Sequence, residues 1–191
     1  DYGNPSSTHA AGRRAKAVLD TARRQVAAAL HAKPDEIYFT SGGTEADNWA
    51  VLSGAHLGRH RGKHLVVSAV EHDAVRRSAD ALEAQGYAVT WLKPDASGAI
   101  DPADFEASLR DDTVFASVML VNNETGAVNP IAALSAALHR RCPGALFHTD
   151  AVQAFCKIPF TPAALGADLI TVSSHKIHGP KGAGALWIRP G

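Results

Sequence analysis

Only two cysteines, Cys142 and Cys156, occur in 191 residues. Two thiols in a chain this long make no disulfide framework, and a reducing compartment is the simpler setting. An excess of one charge is also missing, since 19 basic residues balance 19 acidic ones. No basic stripe is available for nucleic acid, and no acidic tail implies disorder. Apolar runs are short, far below the roughly 20 residues that a membrane-crossing helix requires. The opening residues DYGNPSST have no basic n-region and no apolar h-region, so no signal peptide is expected. They also lack Met, which points to a chain that begins inside a longer reading frame or has been trimmed. Repeats, low-complexity tracts and linkers are not found.

What is present suits one large domain or a piece of a larger protein. Hydrophobic residues make up 46% of the chain, enough for a core, and charged residues 20%. The ten histidines prompt a check for metal binding. His56, His60 and His64 have the spacing of one helix face. Gly58 and Gly62 interrupt that face, and LGRHRGKH reads as a basic loop, so no metal site is expected.

Helix-like and strand-like segments alternate along the chain. Ala11, Ala15, Val18, Leu19, Ala22, Val26, Ala29 and Leu30 carry helical spacing over 8–30. Strands are predicted at 36–40, 64–69, 87–92, 113–121, 145–149, 168–173 and 184–189. Helices are predicted at 44–56, 73–85, 102–109 and 131–141. The short helix at 102–109 opens on Asp101 as cap and Pro102 in its first turn. TVFASVMLV (113–121) is apolar enough to be buried on both faces. The pattern implies an α/β fold with a mostly parallel sheet of about seven strands, covered on both sides in three layers, α/β/α. Ligands of such sheets sit beyond the carboxyl ends of the strands.

The segments after the strands are therefore the ones to inspect. SGGTEADN follows EIYFT, and Gly43 and Thr44 open a helix. Its amides and its positive end suit a phosphate, although the same turn serves as an ordinary helix cap. No Gly-Lys-Ser/Thr follows, so it is not a Walker loop. His72 stands at a strand-to-helix corner, where a histidine is also commonly a cap, and Glu71 is placed to orient it. Asn122, Asn123 and Glu124 follow a buried strand, where uncompensated polar groups are costly. Asp150 and Gln153 lie three apart, on one side of a helical turn, and Asp150 also fits as a cap. Ser173, Ser174, His175 and Lys176 follow DLITVS, in a loop held by Gly179, Pro180, Gly182 and Gly184.

Taken together, a phosphate cradle, a carboxylate, an imidazole and a lysine at one sheet rim fit pyridoxal 5'-phosphate. A lysine amine forms an imine with the aldehyde of that cofactor. A carboxylate holds the pyridine nitrogen protonated, so that the ring accepts electrons. An imidazole stacks on the ring and moves protons.

The blocks YGNPSSTH, FTSGGTEADN, EHDAV, VNNETG, HTDAVQ and SSHKIHGPKGAGAL resemble, in order, those of the cysteine desulfurases, in the class V group of the aminotransferase-like fold. The resemblance covers essentially all 191 residues. It implies that Lys176 carries the cofactor covalently and that His72 stacks on the ring and takes part in acid–base steps. Asp150 would pair with the pyridine nitrogen, and Gln153 with the phenolic oxygen. Gly43, Thr44, Ser173 and His175 would hold the phosphate, and Asn123 would lie near the cofactor oxygen and substrate. The implied reaction converts L-cysteine to L-alanine. Sulfur passes to an enzyme cysteine as a persulfide, and then to acceptors for iron–sulfur clusters or thiolated cofactors. A homodimeric, cytoplasmic parent enzyme is implied as well.

The sequence departs from that family in several places. The persulfide cysteine, the arginine for the substrate carboxylate and a phosphate ligand donated by the partner subunit are expected beyond Gly191. The segment expected before YGNP is absent. Neither Cys142 nor Cys156 matches the nucleophile, and neither is assigned. The chain is thus expected to be the central cofactor-binding domain, residues 1–191, of a longer enzyme lacking its N-terminal segment and C-terminal small domain. Weak cofactor binding and little or no turnover are expected of it alone. Rival readings are another class V enzyme, such as a selenocysteine lyase or kynureninase-like enzyme, and a non-catalytic scaffold for sulfur transfer. A plain nucleotide-binding sheet ranks lower, because no dinucleotide or Walker pattern is present.

Overall fold

Strand β2 (His64–Ser68) shows how the sheet divides the core. Leu65 and Val67 belong to one apolar cluster and Val66 to the other, and all three are fully buried. Side chains alternate across a strand, so a continuous apolar run feeds both faces of a covered sheet. Phe115 and Ala116 divide in the same way, as do Leu169 and Ile170, and Leu186 and Trp187. The computed structural model describes residues 2–191.

The other strands are β1 (Ile37–Thr40), β3 (Ala88–Leu92), β4 (Thr113–Ser117), β5 (Leu146–Asp150), β6 (Leu169–Ser173) and β7 (Gly184–Ile188). Across the sheet their order is β1-β7-β6-β5-β4-β2-β3. Neighbours from β3 to β6 are parallel, whereas β7 runs antiparallel to both β6 and β1. The mostly parallel, seven-stranded sheet expected from sequence is the one observed.

Helices cover both faces. On one side α2 (Gly43–Gly58) and α3 (Asp73–Glu83) supply Ala46, Ala50, Val51, Ala55, Val75, Ala79 and Leu82. On the other lie α1 (Ala10–Leu30), α4 (Pro102–Ser108), α5 (Ile131–Arg141) and α6 (Pro162–Leu165), contributing Leu30, Phe105, Leu134, Leu138 and Leu165. Asp101 caps α4 as expected, its side chain accepting from the amides of Ala103 and Asp104. Among the described residues, no helix is long and apolar enough to cross a membrane.

Three local expectations change. The strand predicted over 113–121 ends at Ser117. Val118 and Leu120 still donate to carbonyls of His148 and Asp150, but the Met119 amide turns to the carboxyl of Glu71 at 2.7 Å. A side chain replaces a neighbouring strand there. Secondly, α2 runs through Gly58 into the segment read as a loop, while His64 opens β2 as the strand predicted over 64–69 has it. His64 is buried with Nδ1 2.8 Å from Thr113 Oγ1 and Nε2 2.8 Å from Thr90 Oγ1. Both nitrogens are occupied, so this residue is not free to join His56 and His60 around a metal. Thirdly, α6 has no counterpart in the sequence reading. It opens on Thr161, whose hydroxyl accepts the Ala164 amide, with Pro162 in its first turn.

Candidate active site

The carboxyl ends of β2, β4, β5 and β6 converge on one rim with the N-terminus of α2. A cavity of about 470 Å³ opens there. Gly43, Thr44, His72, Asn123, Asp150, Gln153, His175 and Lys176 all line it, although they come from five separate strand-end segments. Ser173 is buried behind the wall, its Oγ 2.8 Å from His175 Nδ1. Eight of the nine residues singled out from sequence therefore face one space, and the ninth holds one of those eight.

The phosphate-like end is built by α2. Gly42 precedes the helix without a side-chain cap, and the first intrahelical bond runs from the Ala46 amide to the Gly42 carbonyl. Among the described residues, the amides of Gly43, Thr44 and Glu45 have no protein acceptor. Free amides at a positive helix end form an anion site. Gly184 brings β7 against this turn. A Cβ there would sit 2.7 Å from the Gly42 carbonyl carbon and 2.8 Å from its Cα, so only glycine allows the approach.

Lys176 lies in a single 3-10 turn, Ser174–Ile177. That turn is held from both sides. The Ser174 amide donates to the Ala183 carbonyl, the Gly179 amide to the Ser174 carbonyl, and the Ser174 hydroxyl to the Pro180 carbonyl. A Cβ on Gly179 would come within 2.9 Å of Ser174 Cβ. The loop is thus fixed, as its glycines and proline suggested. Lys181, also on the cavity wall, adds a second ammonium that the sequence reading did not single out.

His72 caps α3. Its Nδ1 accepts the Ala74 amide at 3.1 Å, so the neutral ring carries its proton on Nε2. The cap reading and the cavity reading are both correct for this residue. Asp150 likewise accepts the Val152 amide at 2.8 Å while facing the cavity. Burial pushes its carboxyl up; the Val152 amide, His72 and Lys176 oppose that shift. The NNETG polar run divides its work. Asn122 is buried and organises the turn, donating to Val70 and accepting from Glu124 and Thr125, whereas Asn123 faces the cavity. The two cysteines lie apart from this wall. Cys142 is buried at the end of α5 and Cys156 is exposed.

One buried acid, Asp47, escaped the sequence reading, and Glu71, read as placed to orient His72, instead accepts the Met119 amide. Asp47 lines the cavity, and Glu71 is buried next to His72 in sequence; among the described residues each has one carboxyl oxygen without a hydrogen-bond partner. Asp47 was legible in principle. It occupies the buried stripe of α2 with Gly43, Ala46, Ala50, Val51 and Gly54, and a carboxylate on such a stripe is unusual.

A fold of this kind with a lysine and a buried acid across one cavity defines a class of cofactor-dependent enzymes. The aminotransferase class-V family model matches residues 1–191, and the chain belongs to that family. The family's cofactor is pyridoxal 5'-phosphate. The chain is 48% identical over 190 residues to cysteine desulfurase IscS of Anaeromyxobacter dehalogenans, covering 99% of this chain and 46% of that protein. It is 44% identical over 191 residues to IscS of Methanosarcina thermophila, covering all of this chain and 47% of that protein. Among solved structures it is similar to a NifS-like protein, with TM-score 0.96 and 36% identity over all of this chain and 52% of that one. It is also similar to SspA in complex with cysteine, with TM-score 0.93 and 37% identity over 98% of this chain and 54% of that one. The chain spans about half the length of the curated relatives it matches.

The residues present fit the cofactor. Unpartnered amides suit a phosphate, a buried acid suits a protonated ring nitrogen, and a lysine without an ion pair among the described residues suits an aldehyde.

Proposed function

We propose that this chain is the cofactor-binding part of a cysteine desulfurase, taking L-cysteine to L-alanine and passing its sulfur to an enzyme cysteine as a persulfide. The observation that carries the reading is the pairing of Lys176, on a turn pinned at both ends, with buried Asp150 across one cavity. Identity of 44–48% to proteins named cysteine desulfurase IscS supports the substrate, as does a neighbour described in complex with cysteine.

When bound, pyridoxal 5'-phosphate supplies an aldehyde for imine formation and a ring that stabilises negative charge on the substrate. The chain's own groups do the rest. The Gly43 and Thr44 amides, with His175 held in place by Ser173, would bind phosphate. Asp150 would hold a proton at the pyridine nitrogen, and Gln153 would hydrogen-bond the phenolic oxygen. His72 would stack on the ring and move protons through Nε2, since Nδ1 is committed to its helix cap. Lys176 would hold the cofactor through its Nζ. Asn123 orients the substrate side of the cavity.

The same reading includes a longer, homodimeric, cytoplasmic parent and a sulfur acceptor such as an iron–sulfur scaffold protein. The unpaired Cys142 and Cys156 accord with a reducing compartment, and exposed Tyr38, Phe39 and Trp49 offer apolar surface for a partner.

Displacement tests the substrate. The chain is loaded with pyridoxal 5'-phosphate, incubated with L-cysteine or L-kynurenine, and reduced with borohydride. L-Cysteine is expected to lower the label on Lys176 at concentrations where L-kynurenine does not. The opposite order would move the assignment to a kynureninase-like enzyme.

A further inference from the structure

Asp47 and Asp150 line the same cavity, one from α2 and one from the end of β5, and are 1% and 5% exposed. Two buried carboxyl groups sharing a site do not both ionise. Their surroundings differ. Asp150 feels His72 and Lys176, and one of its oxygens accepts the Val152 amide. For Asp47 only the Thr171 hydroxyl favours the anion, and no basic group does. Its Oδ1 has no hydrogen-bond partner, and the nearest basic group is His148, whose Nε2 lies 3.6 Å away.

That histidine cannot act as a counter-ion. It is fully buried on β5, with Nδ1 2.9 Å from Ser117 Oγ and Nε2 3.0 Å from Thr171 Oγ1. Burial lowers its pKa to about 3, so it stays neutral near pH 7. Glu71, the other acid near the pair, offers no positive charge, and any charge on it would only repel the pair. Burial first, and then the Asp150 charge, push the Asp47 carboxyl well up; the Thr171 hydroxyl offsets a part.

We propose that Asp47 is a positioning residue for Asp150: it keeps the one proton of this buried carboxyl pair, leaving Asp150 as the anion that meets the cofactor ring. The inference rests on the cofactor reading above for the role of Asp150, but the protonation of Asp47 is a property of the unloaded chain. The two are tested separately.

Infrared spectroscopy of the cofactor-free chain at neutral pH reads the protonation directly. The wild type is expected to show a carboxylic-acid C=O band that Asp47→Asn diminishes and Asp150→Asn leaves in place. Glu71→Gln identifies the share belonging to Glu71. No such band in the wild type, or one that disappears only in Asp150→Asn, overturns the proposal without touching the cofactor assignment. The wild-type spectrum stands whether or not a variant folds.

Rescue reads the positioning. Asp47→Leu removes the polar group and is expected to weaken pyridoxal 5'-phosphate binding at least about tenfold, equivalent to ~1.4 kcal/mol. Asp47→Asn, neutral and still a donor, is expected to recover most of that loss. Equal weakening in both variants contradicts a neutral Asp47. Failure of the wild type to bind the cofactor at all refutes the functional reading instead, and leaves the infrared result intact.

Discussion

Glu71 Oε1 accepts the backbone N–H of Met119 at 2.7 Å across 48 positions of sequence. This contact ends β4 and holds Met119 against the cavity wall. It fixes a buried carboxyl whose other oxygen is unpartnered. Glu71→Leu strands the Met119 amide, and a buried donor without an acceptor costs about 1–3 kcal/mol. Glu71→Gln keeps an acceptor and is expected to cost less. Urea unfolding of the two variants measures the difference; equal losses would mean the contact contributes nothing.

The same acid gives the fold a pH dependence. Burial pushes Glu71 well above the usual carboxylate range, against the Met119 bond. The native state then keeps a proton that the unfolded chain releases above about pH 4. This contribution to stability falls as pH rises from there toward the raised native pKa. Glu71→Gln is expected to gain on the wild type between pH 4 and 8, in denaturant midpoints taken at several pH values. Parallel curves would show Glu71 ionised in the fold.

His148 acts at the other end of the scale. Burial holds it at about 3 in the native state, against an ordinary value of 6.5. Below pH 6.5 the unfolded chain takes up a proton that the native state refuses. Stability drops as pH falls from 6.5 toward 3, by up to about 1.4 kcal/mol per pH unit. His148→Asn is expected to flatten that part of the stability curve, apart from a constant offset for lost hydrogen bonds. An unchanged acid slope would mean that His148 protonates within the fold.

Two glycines separate binding from stability. Gly184→Ala would drive a methyl into the Gly42 backbone at the anion cradle, whereas Gly54→Ala would meet the Phe115 ring, with Cε2 at 2.5 Å. Overpacking costs about 1–3 kcal/mol. Gly54→Ala is expected to lower the melting temperature more than cofactor affinity. Gly184→Ala is expected to weaken affinity at least about tenfold, or ~1.4 kcal/mol. Similar affinity losses in both would place the cradle elsewhere.

The sheet was legible because its strands are short apolar runs separated by helical spacing, and β2 and β6 show that pattern cleanly. The rim was legible because glycines, a proline and isolated polar residues mark the strand ends. The end of β4 was not, since no local pattern says that the Met119 amide bonds to a side chain 48 residues away. His64 was legible as the start of a strand, but the occupation of both its ring nitrogens by Thr113 and Thr90 from two other strands was not. Asp47 announced itself only as an acid on an apolar stripe; its closeness to Asp150 is a product of tertiary packing.

The central claim is that Lys176 carries the cofactor opposite Asp150. The direct measurement is borohydride reduction of the chain after incubation with pyridoxal 5'-phosphate, followed by mapping of the modified peptide, with Lys176→Ala alongside. One equivalent of label on Lys176, absent from the variant, is the predicted result. Label spread over surface lysines, or retained in Lys176→Ala, would contradict it.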